Sequence, residues 1–312
     1  MPEPTWIPEF ACPECGSTLV APATAGAWTG PRICPSCDAE VACRGGILRF
    51  LSDTRLAQVE PLIAQYRRVR ELDGYRQRAA AYYRELPRVA RGDPQHAVWR
   101  IRQESFRHLC SKVLTRLGRR PLRVLDLGAG NGWLSHRLTL LGNVCVAVDW
   151  LDDLDDGLGA ARHYPTTFTR LQADFDQLPL VGGQFDAVIF NASLHYSANP
   201  MATLRYASKA LADGGALVVM DSPVFVSEAD GRRMLAEREQ GFADRIRRAV
   251  EWGAGYLTVD GLARTATEAD LVLRRIPSRG GPGWAFKRWL AGRKLRRQPA
   301  SFGIWSFGGR AT

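Results

Sequence analysis

Long apolar runs are missing from this 312-residue sequence. No stretch approaches the roughly 20 residues needed to span a bilayer, which argues against a transmembrane helix. The opening decapeptide, MPEPTWIPEF, also lacks the basic start and apolar centre of a signal peptide. The expected address is therefore cytoplasmic. Lysine is scarce: Lys112, Lys209, Lys287 and Lys294 are the full set, and arginine supplies the rest of a net charge of +10. Such a surplus suits polyanionic partners, whether nucleic acid, phosphorylated substrates or an anionic membrane surface, but also a merely solvated surface. Composition is otherwise ordinary, 46% hydrophobic and 24% charged. A chain of this length buries roughly three quarters of its unfolded surface, so a substantial core is expected.

Cysteine is sparse outside the first 43 residues, where five of the seven lie. Cys110 and Cys145 sit in apolar surroundings and read as small core residues, and a reducing address argues against disulfides. The early cysteines are patterned. CPEC at 12–15 and CPSC at 34–37 form C-x2-C-x18-C-x2-C, a spacing suited to a tetrahedral zinc site with Cys12, Cys15, Cys34 and Cys37 as ligands. The fifty residues around them are rich in Ala, Gly and Pro and cannot build an adequate core. Structural zinc, on the order of 10 kcal/mol, can supply that folding energy. Cys43 is not counted as a ligand, and VACRGGILRFL reads as a strand, a Gly-Gly turn and a short apolar strand. The stretch resembles the zinc-ribbon modules found with RNA and small-molecule methyltransferases.

Residues 52–118 are helical in pattern and arginine-rich, a linker or substrate cap. Arg67, Arg68, Arg70, Arg76 and Arg78 either line a substrate cleft or form a solvated face. Asp93-Pro94 marks a helix start, and Ile101, Ser105, Leu109, Val113 and Leu117 recur every fourth residue along the helix that follows.

LRVLDLGAG reads as a buried parallel strand running into a glycine turn. A dinucleotide fingerprint would need Gly or Ala at 133, where Trp stands. Asp126, two residues before the first glycine, has the wrong charge for a pyrophosphate and the right one for an ammonium group. With LDLGAGNG on the page, the chain resembles the class I S-adenosylmethionine-dependent methyltransferases. The resemblance places the backbone of Gly128, Ala129 and Gly130 against the cofactor and Asp126 near its methionine ammonium.

Later segments follow the same order. VCVAVDW ends a second strand at Asp149, whose two oxygens can bridge the ribose hydroxyls. Trp150 would cover the adenine. In LQADFDQLPL, the resemblance implies that Asp174 accepts from the adenine amino group and Phe175 packs on the ring. GQFDAVIFNASLHY is a fourth strand and LADGGALVVMDSP a fifth. ADLVLRRIPS and FGIWSFGGR form a closing antiparallel pair, with an arginine-rich helical lid, RRMLAEREQGFADRIRRAV, inserted after the fifth strand.

In such sheets ligands lie beyond the carboxyl ends of the strands, so NASLHY faces the transferring methyl. Methyl transfer from a sulfonium gains chiefly from positioning, worth up to about 7–11 kcal/mol. A hydroxyl or amine acceptor also needs a base. His195 is the candidate, with Tyr196 orienting substrate and Asn191 meeting the cofactor or loop. Adenine-amino chemistry is set aside because NASL replaces an Asn/Asp-Pro-Pro-aromatic motif, and no cysteine is placed to attack a pyrimidine.

The stretch GPGWAFKRWLAGRKLRRQP mixes aromatics with six cations. It suits stacked bases and phosphates, an anionic membrane surface, or a helix with its aromatic side on the sheet. The expected architecture is α/β: a zinc ribbon over 1–51, the helical cap over 52–118, and a Rossmann-like seven-stranded methyltransferase domain over 119–312. The first functional expectation is methylation of a small-molecule or lipid-like metabolite, resembling the quinone-biosynthesis branch. The alternatives are a ribosomal RNA base methyltransferase, which the ribbon and basic tail also resemble, or a non-catalytic S-adenosylmethionine-binding adaptor. Oligomeric state is not legible.

Overall fold

The structure, a computed structural model, describes residues 6–19, 30–76, 78–243, 253–277 and 281–309. The chain begins with two matching units. Strands β1 (Phe10–Ala11) and β2 (Thr18–Leu19) pair antiparallel around the first cysteine turn, and β3 (Arg32–Ile33) and β4 (Glu40–Val41) around the second. Each turn is closed by the same backbone bonds. Gly16 N–H donates to the Cys12 carbonyl at 2.9 Å, and Asp38 N–H to that of Cys34 at 3.0 Å. Both Gly16 and Asp38 have positive φ, 74° and 58°, which the tight reversal demands and which Gly and Asp tolerate best.

A hairpin, β5 (Cys43–Arg44) and β6 (Ile47–Arg49), follows the second unit across the Gly45-Gly46 turn. Three helices come next: α1 (Asp53–Leu72), α2 (Ala80–Glu85) and α3 (His96–His108). The expected start at Asp93-Pro94 lies three residues before α3, with Asp93 Oδ1 accepting from Gln95 N–H at 2.7 Å. The chain then alternates β7 (Arg123–Leu127), α4 (Trp133–Leu140), β8 (Val144–Asp149), β9 (Thr169–Gln172), β10 (Phe185–Asn191), α5 (Pro200–Ser208) and β11 (Leu211–Met220). It closes with β12 (Val224–Phe225), α6 (Glu228–Ala243), β13 (Leu257–Thr258), α7 (Val259–Glu268), β14 (Val272–Ile276), α8 (Gly281–Leu295) and β15 (Ile304–Gly308). The first part of the expected lid, RRMLAEREQGFA, lies in α6; residues 244–252 of it fall outside the described residues.

The central sheet runs β14-β15-β11-β10-β7-β8-β9-β6-β5. Its seven methyltransferase-type strands are parallel except β15, which runs antiparallel to both β14 and β11. The sheet is longer than the seven strands expected, because β6 adds parallel to β9 and β5 follows it. The hairpin ahead of residue 51 is thus continuous with the central sheet. Strand residues alternate between two cores, as a period of two requires. Leu125, Leu127, Val188, Phe190, Leu217 and Val219 face α5, α7 and the cysteine units, while Val124, Ala187, Ile189 and Val218 face α3 and α4. Phe10, Leu19 and Val41 share the first of these cores with Phe175, Leu178 and Phe185.

Candidate active site

Two parallel strands and a glycine turn build the centre. β7 ends at Leu127, and the chain reverses through Gly128 and Gly130, both at positive φ (71° and 55°). A Cβ at Gly128 would lie 2.3 Å from the Ser193 Cβ, so only glycine fits where the turn crosses the end of β10. Gly128 and Ala129 donate their N–H groups to the Val148 carbonyl at 2.9 and 3.0 Å, and Ser193 Oγ donates to the Leu127 carbonyl at 2.5 Å. The turn leads into α4, whose first residue, Trp133, meets Trp99 and Phe106 of α3 edge-on. The side chain that replaces a dinucleotide-type glycine therefore pins α3 beside the turn.

Asp149 ends β8. Its Oδ2 accepts from Gly130 N–H and its Oδ1 from Leu151 N–H, both at 2.8 Å. Burial pushes its carboxyl up to about 6 against the pull of these bonds. Trp150 and Phe175 present ring planes 5° from parallel with centroids 6.1 Å apart, a pair suited to hold a planar heterocycle.

The cavity at the carboxyl ends of the strands is walled by Gly128, Ala129, Gly130, Asp149, Trp150, Phe175, Asn191 and Tyr196. Eight of the residues singled out from sequence thus come together around one space. Asp126, Asp174 and His195 do not line it. Asp126 is buried behind the turn, where Oδ2 accepts from Ser135 Oγ at 2.8 Å and Oδ1 has no partner. Burial pushes it up to about 7. Asn191 Oδ1 and Trp150 Nε1 are likewise buried without a hydrogen-bond partner. The last two belong to residues that wall the cavity and leave one acceptor and one donor for a polar ligand there.

Asp174 is engaged from above. Arg55 of α1 donates to its Oδ2 from Nε at 2.9 Å and Nη2 at 2.5 Å, and lies 5.5 Å from the Trp150 ring. His195 is buried against Ser222, whose Oγ is 3.2 Å from Nδ1, and burial pushes the imidazole down to about 3. It stays neutral at physiological pH. Next to Ser222, Asp221 accepts from Ser105 Oγ at 2.6 Å, with its Oδ2 buried and unpartnered.

Sequence reasoning expected a helical cap and named Arg70, but not the other residues of the roof. Leu62, Ile63, Tyr66 and Arg70 of α1 close the cavity, joined by Arg102 of α3 and Gly253. The available signal was the spacing of Leu62, Tyr66 and Arg70, each four residues apart and therefore on one helical face. Of the arginines considered for a cleft, Arg70 alone lines the cavity, and Arg70 Nη2 holds Asp156 at 2.7 Å. Arg76 pairs with Asp153 at 2.9 Å and Arg67 with the same residue at 3.7 Å, so both fasten the roof to the loop after β8. Arg68 meets Glu71 at the surface, and Arg78 meets Asp93.

The second site is the cysteine cluster. The Sγ atoms of Cys12, Cys15, Cys34 and Cys37 all lie within 4.8 Å of one another. Cys12–Cys37 and Cys15–Cys34 are 3.7 and 3.6 Å apart. A zinc–sulfur bond of about 2.3 Å gives a tetrahedron edge of about 3.8 Å, so the thiols fit a tetrahedral ion. Cys43 is absent from this cluster.

Comparison with known proteins places this geometry. The sequence pattern of the methyltransferase domain matches residues 98–272, more than half of the chain. The chain belongs to the methyltransferase domain family. Over 129 residues it is 31% identical to a demethylmenaquinone methyltransferase of Mycobacterium bovis, covering 41% of this chain and 53% of that one. A malonyl-[acyl-carrier protein] O-methyltransferase of Hahella chejuensis is 30% identical over 104 residues, 31% of this chain and 36% of that protein. The chain thus spans about half the length, or less, of these curated relatives. Among solved structures, the magnesium protoporphyrin IX methyltransferase of Synechocystis with bound S-adenosylhomocysteine has a TM-score of 0.50 at 17% identity. It covers 80% of this chain and 94% of its own, and shares the fold. The matched segment holds β7 to β11 and the glycine turn, and the cysteine units precede it. Among the described residues, no helix is long and apolar enough to cross a membrane.

Proposed function

We propose that this chain binds S-adenosylmethionine and transfers its methyl group to a small-molecule or lipid-like acceptor. The observation that carries this reading is the cavity itself: the glycine turn, the Asp149 carboxylate and the parallel Trp150–Phe175 pair converge on one space at the strand ends. When bound, the cofactor supplies an electrophilic methyl on a sulfonium. Asp149 takes the ribose hydroxyls while its backbone bonds hold it in place, and Asp126, behind the turn, favours the ammonium end through its charge without touching it. Trp150 and Phe175 hold the adenine, with Arg55 and Asp174 at the rim.

Tyr66, Arg70 and Tyr196 exclude water over the reacting end. Tyr66 and Tyr196 meet edge-on at 6.1 Å, and Arg70 lies 5.6 Å from the Tyr66 ring. Positioning of the acceptor against these walls does most of the work. His195, held neutral beside Ser222, packs on Tyr196 with ring centroids 4.2 Å apart and positions it, and Tyr196 orients the substrate. Cys12, Cys15, Cys34 and Cys37 hold a structural zinc, which steadies the face of the core that also carries Phe175.

The names of the curated relatives, a demethylmenaquinone methyltransferase and a malonyl-[acyl-carrier protein] O-methyltransferase, support a small or lipid-like acceptor for this chain. The test is transfer of labelled methyl from S-adenosylmethionine into an extract separated into organic-soluble and RNA fractions. Label in the organic fraction supports the proposal. Label confined to RNA makes the chain an RNA methyltransferase, and cofactor binding with no label in either fraction makes it an adaptor.

A further inference from the structure

The last acidic residue of the sequence is Asp270. Residues 271–312 contain ten Lys and Arg and no Asp or Glu, an excess equal to the net charge of the entire chain. Within this segment the described apolar side chains Phe286, Trp289, Leu290 and Leu295 of α8 are exposed. Phe286 is 62% exposed, Trp289 52%, Leu290 53% and Leu295 40%. Trp289 and Leu290 lie three and four residues after Phe286, and Arg293 four and three after them, so the four share a helical face. Phe286 and Trp289 stack with centroids 5.8 Å apart, and Arg293 covers Trp289 at 4.5 Å. Arg293, Lys294 and Arg296 are exposed beside them. Solvent exposure of this much contiguous apolar surface, ringed by cations, calls for a partner.

The same surface is tied to the wall of the active site. Arg297 grips Glu237 of α6 at 2.7 Å, and Arg233 of α6 donates to the Arg296 carbonyl at 2.9 Å. The α6 side chain Leu235 packs on Gly255, two residues from the cavity-lining Gly253. Val226, exposed just before α6, follows Phe225, whose ring lies 5.8 Å from the Arg297 guanidinium.

We propose that α8 and the adjoining basic segment dock the protein on an anionic lipid surface. The phosphates of the bilayer match a segment with no carboxylate. The half-wet aromatics belong at the headgroup level, and Leu290 on the same face enters the acyl boundary. RNA fits less well. Leu290, Leu295 and Val226 offer nothing to a base stack, and the Phe286 and Trp289 faces are already covered by each other and by Arg293. Docking here sets α6, which packs on Gly255 two residues from the cavity-lining Gly253, beside the membrane, where a lipid-like acceptor would be drawn from. Only that last point rests on the proposed methyl transfer.

The test is co-sedimentation of the full chain with vesicles of phosphatidylcholine alone and of phosphatidylcholine with phosphatidylglycerol in equal parts. Binding is expected to the anionic vesicles only. Arg293→Gln with Lys294→Gln should weaken it about twentyfold, since each cation near the surface contributes on the order of fivefold. Phe286→Ser with Trp289→Ser should weaken it at least about tenfold by removing the inserted groups. Calorimetry with S-adenosylmethionine on the same variants should show unchanged cofactor affinity, which establishes that they fold. Failure of the wild-type chain to pellet with anionic vesicles overturns the proposal, as does binding that the aromatic variant leaves intact. Capture of poly-uridine RNA through these residues, or self-association through them in vesicle-free solution, overturns it equally. Vesicle binding without cofactor binding would retain the docking surface and remove the proposed function; the reverse result would do the opposite.

Discussion

Replacement of Asp149 by Asn isolates the charge on which the cofactor assignment turns. The side chain keeps its shape, but its amide presents an NH2 group to one of two backbone donors, Gly130 N–H or Leu151 N–H, each now at 2.8 Å from a carboxylate oxygen. One donor loses its acceptor, which costs about 1–3 kcal/mol of stability. The ribose loses more. A carboxylate accepts from two hydroxyls at about 1.5–3 kcal/mol each, whereas the amide oxygen can keep one of them. The net expectation is about 2 kcal/mol, or a thirtyfold rise in the dissociation constant for S-adenosylmethionine.

The pH dependence provides a second arm. Burial raises the Asp149 carboxyl to about 6, so wild-type affinity should fall as pH drops through that value, while Asp149→Asn should show no such step. Isothermal calorimetry at a series of pH values measures both, and a thermal melt reports the stability cost. A dissociation constant within about threefold of wild type, in a variant that melts as expected, would show that the ribose does not sit at Asp149.

Three further outcomes follow from the same geometry. Asp126 is pushed up to about 7 by burial, so the stability it contributes is present below the ordinary carboxylate range and lost as pH rises through about 7. Asp126→Asn should therefore melt above wild type at pH 8 without cofactor yet bind cofactor at least about tenfold more weakly; a lower melting point there would refute the unpaired-charge argument. Cys12→Ser should lose one zinc in native mass spectrometry and lower the melting temperature. It should also weaken cofactor binding, because Phe10 and Leu19 share a core with Phe175; a metal-free protein of unchanged stability would count against the zinc site. His195→Ala should slow turnover at unchanged cofactor affinity. Its imidazole is held down at about 3, so wild-type turnover should show no His195 step between pH 5 and 8, and a step near 6.5 that the variant abolishes would contradict the buried, neutral imidazole.

The parallel strands were legible because each is a short apolar run that ends in chemistry. Leu125–Leu127 runs into glycines, Val144–Val148 into Asp149, and Phe185–Phe190 into Asn191. The cysteine turns were legible because ligand spacing is a local constraint, and the Sγ cluster follows from it. The roof was not. Its arginines read alike in sequence, and only the acidic loop after β8 decides that Arg70 lines the cavity while Arg67 and Arg76 fasten it. Asp174 illustrates the same point, since its pairing with Arg55 spans 119 positions.

The order of strands, the glycine turn, the acidic residues at strand ends and the two cysteine turns are properties of neighbouring residues, and the sequence alone determined them. Tertiary structure decided the rest. It joined the β5–β6 hairpin to the central sheet, closed α1 over the cavity, turned His195 inward and turned Phe286 and Trp289 outward. Those outcomes depend on which distant surface each segment meets. A periodic pattern specifies that a face exists, but the partner that covers it is selected by packing and charge across the whole fold.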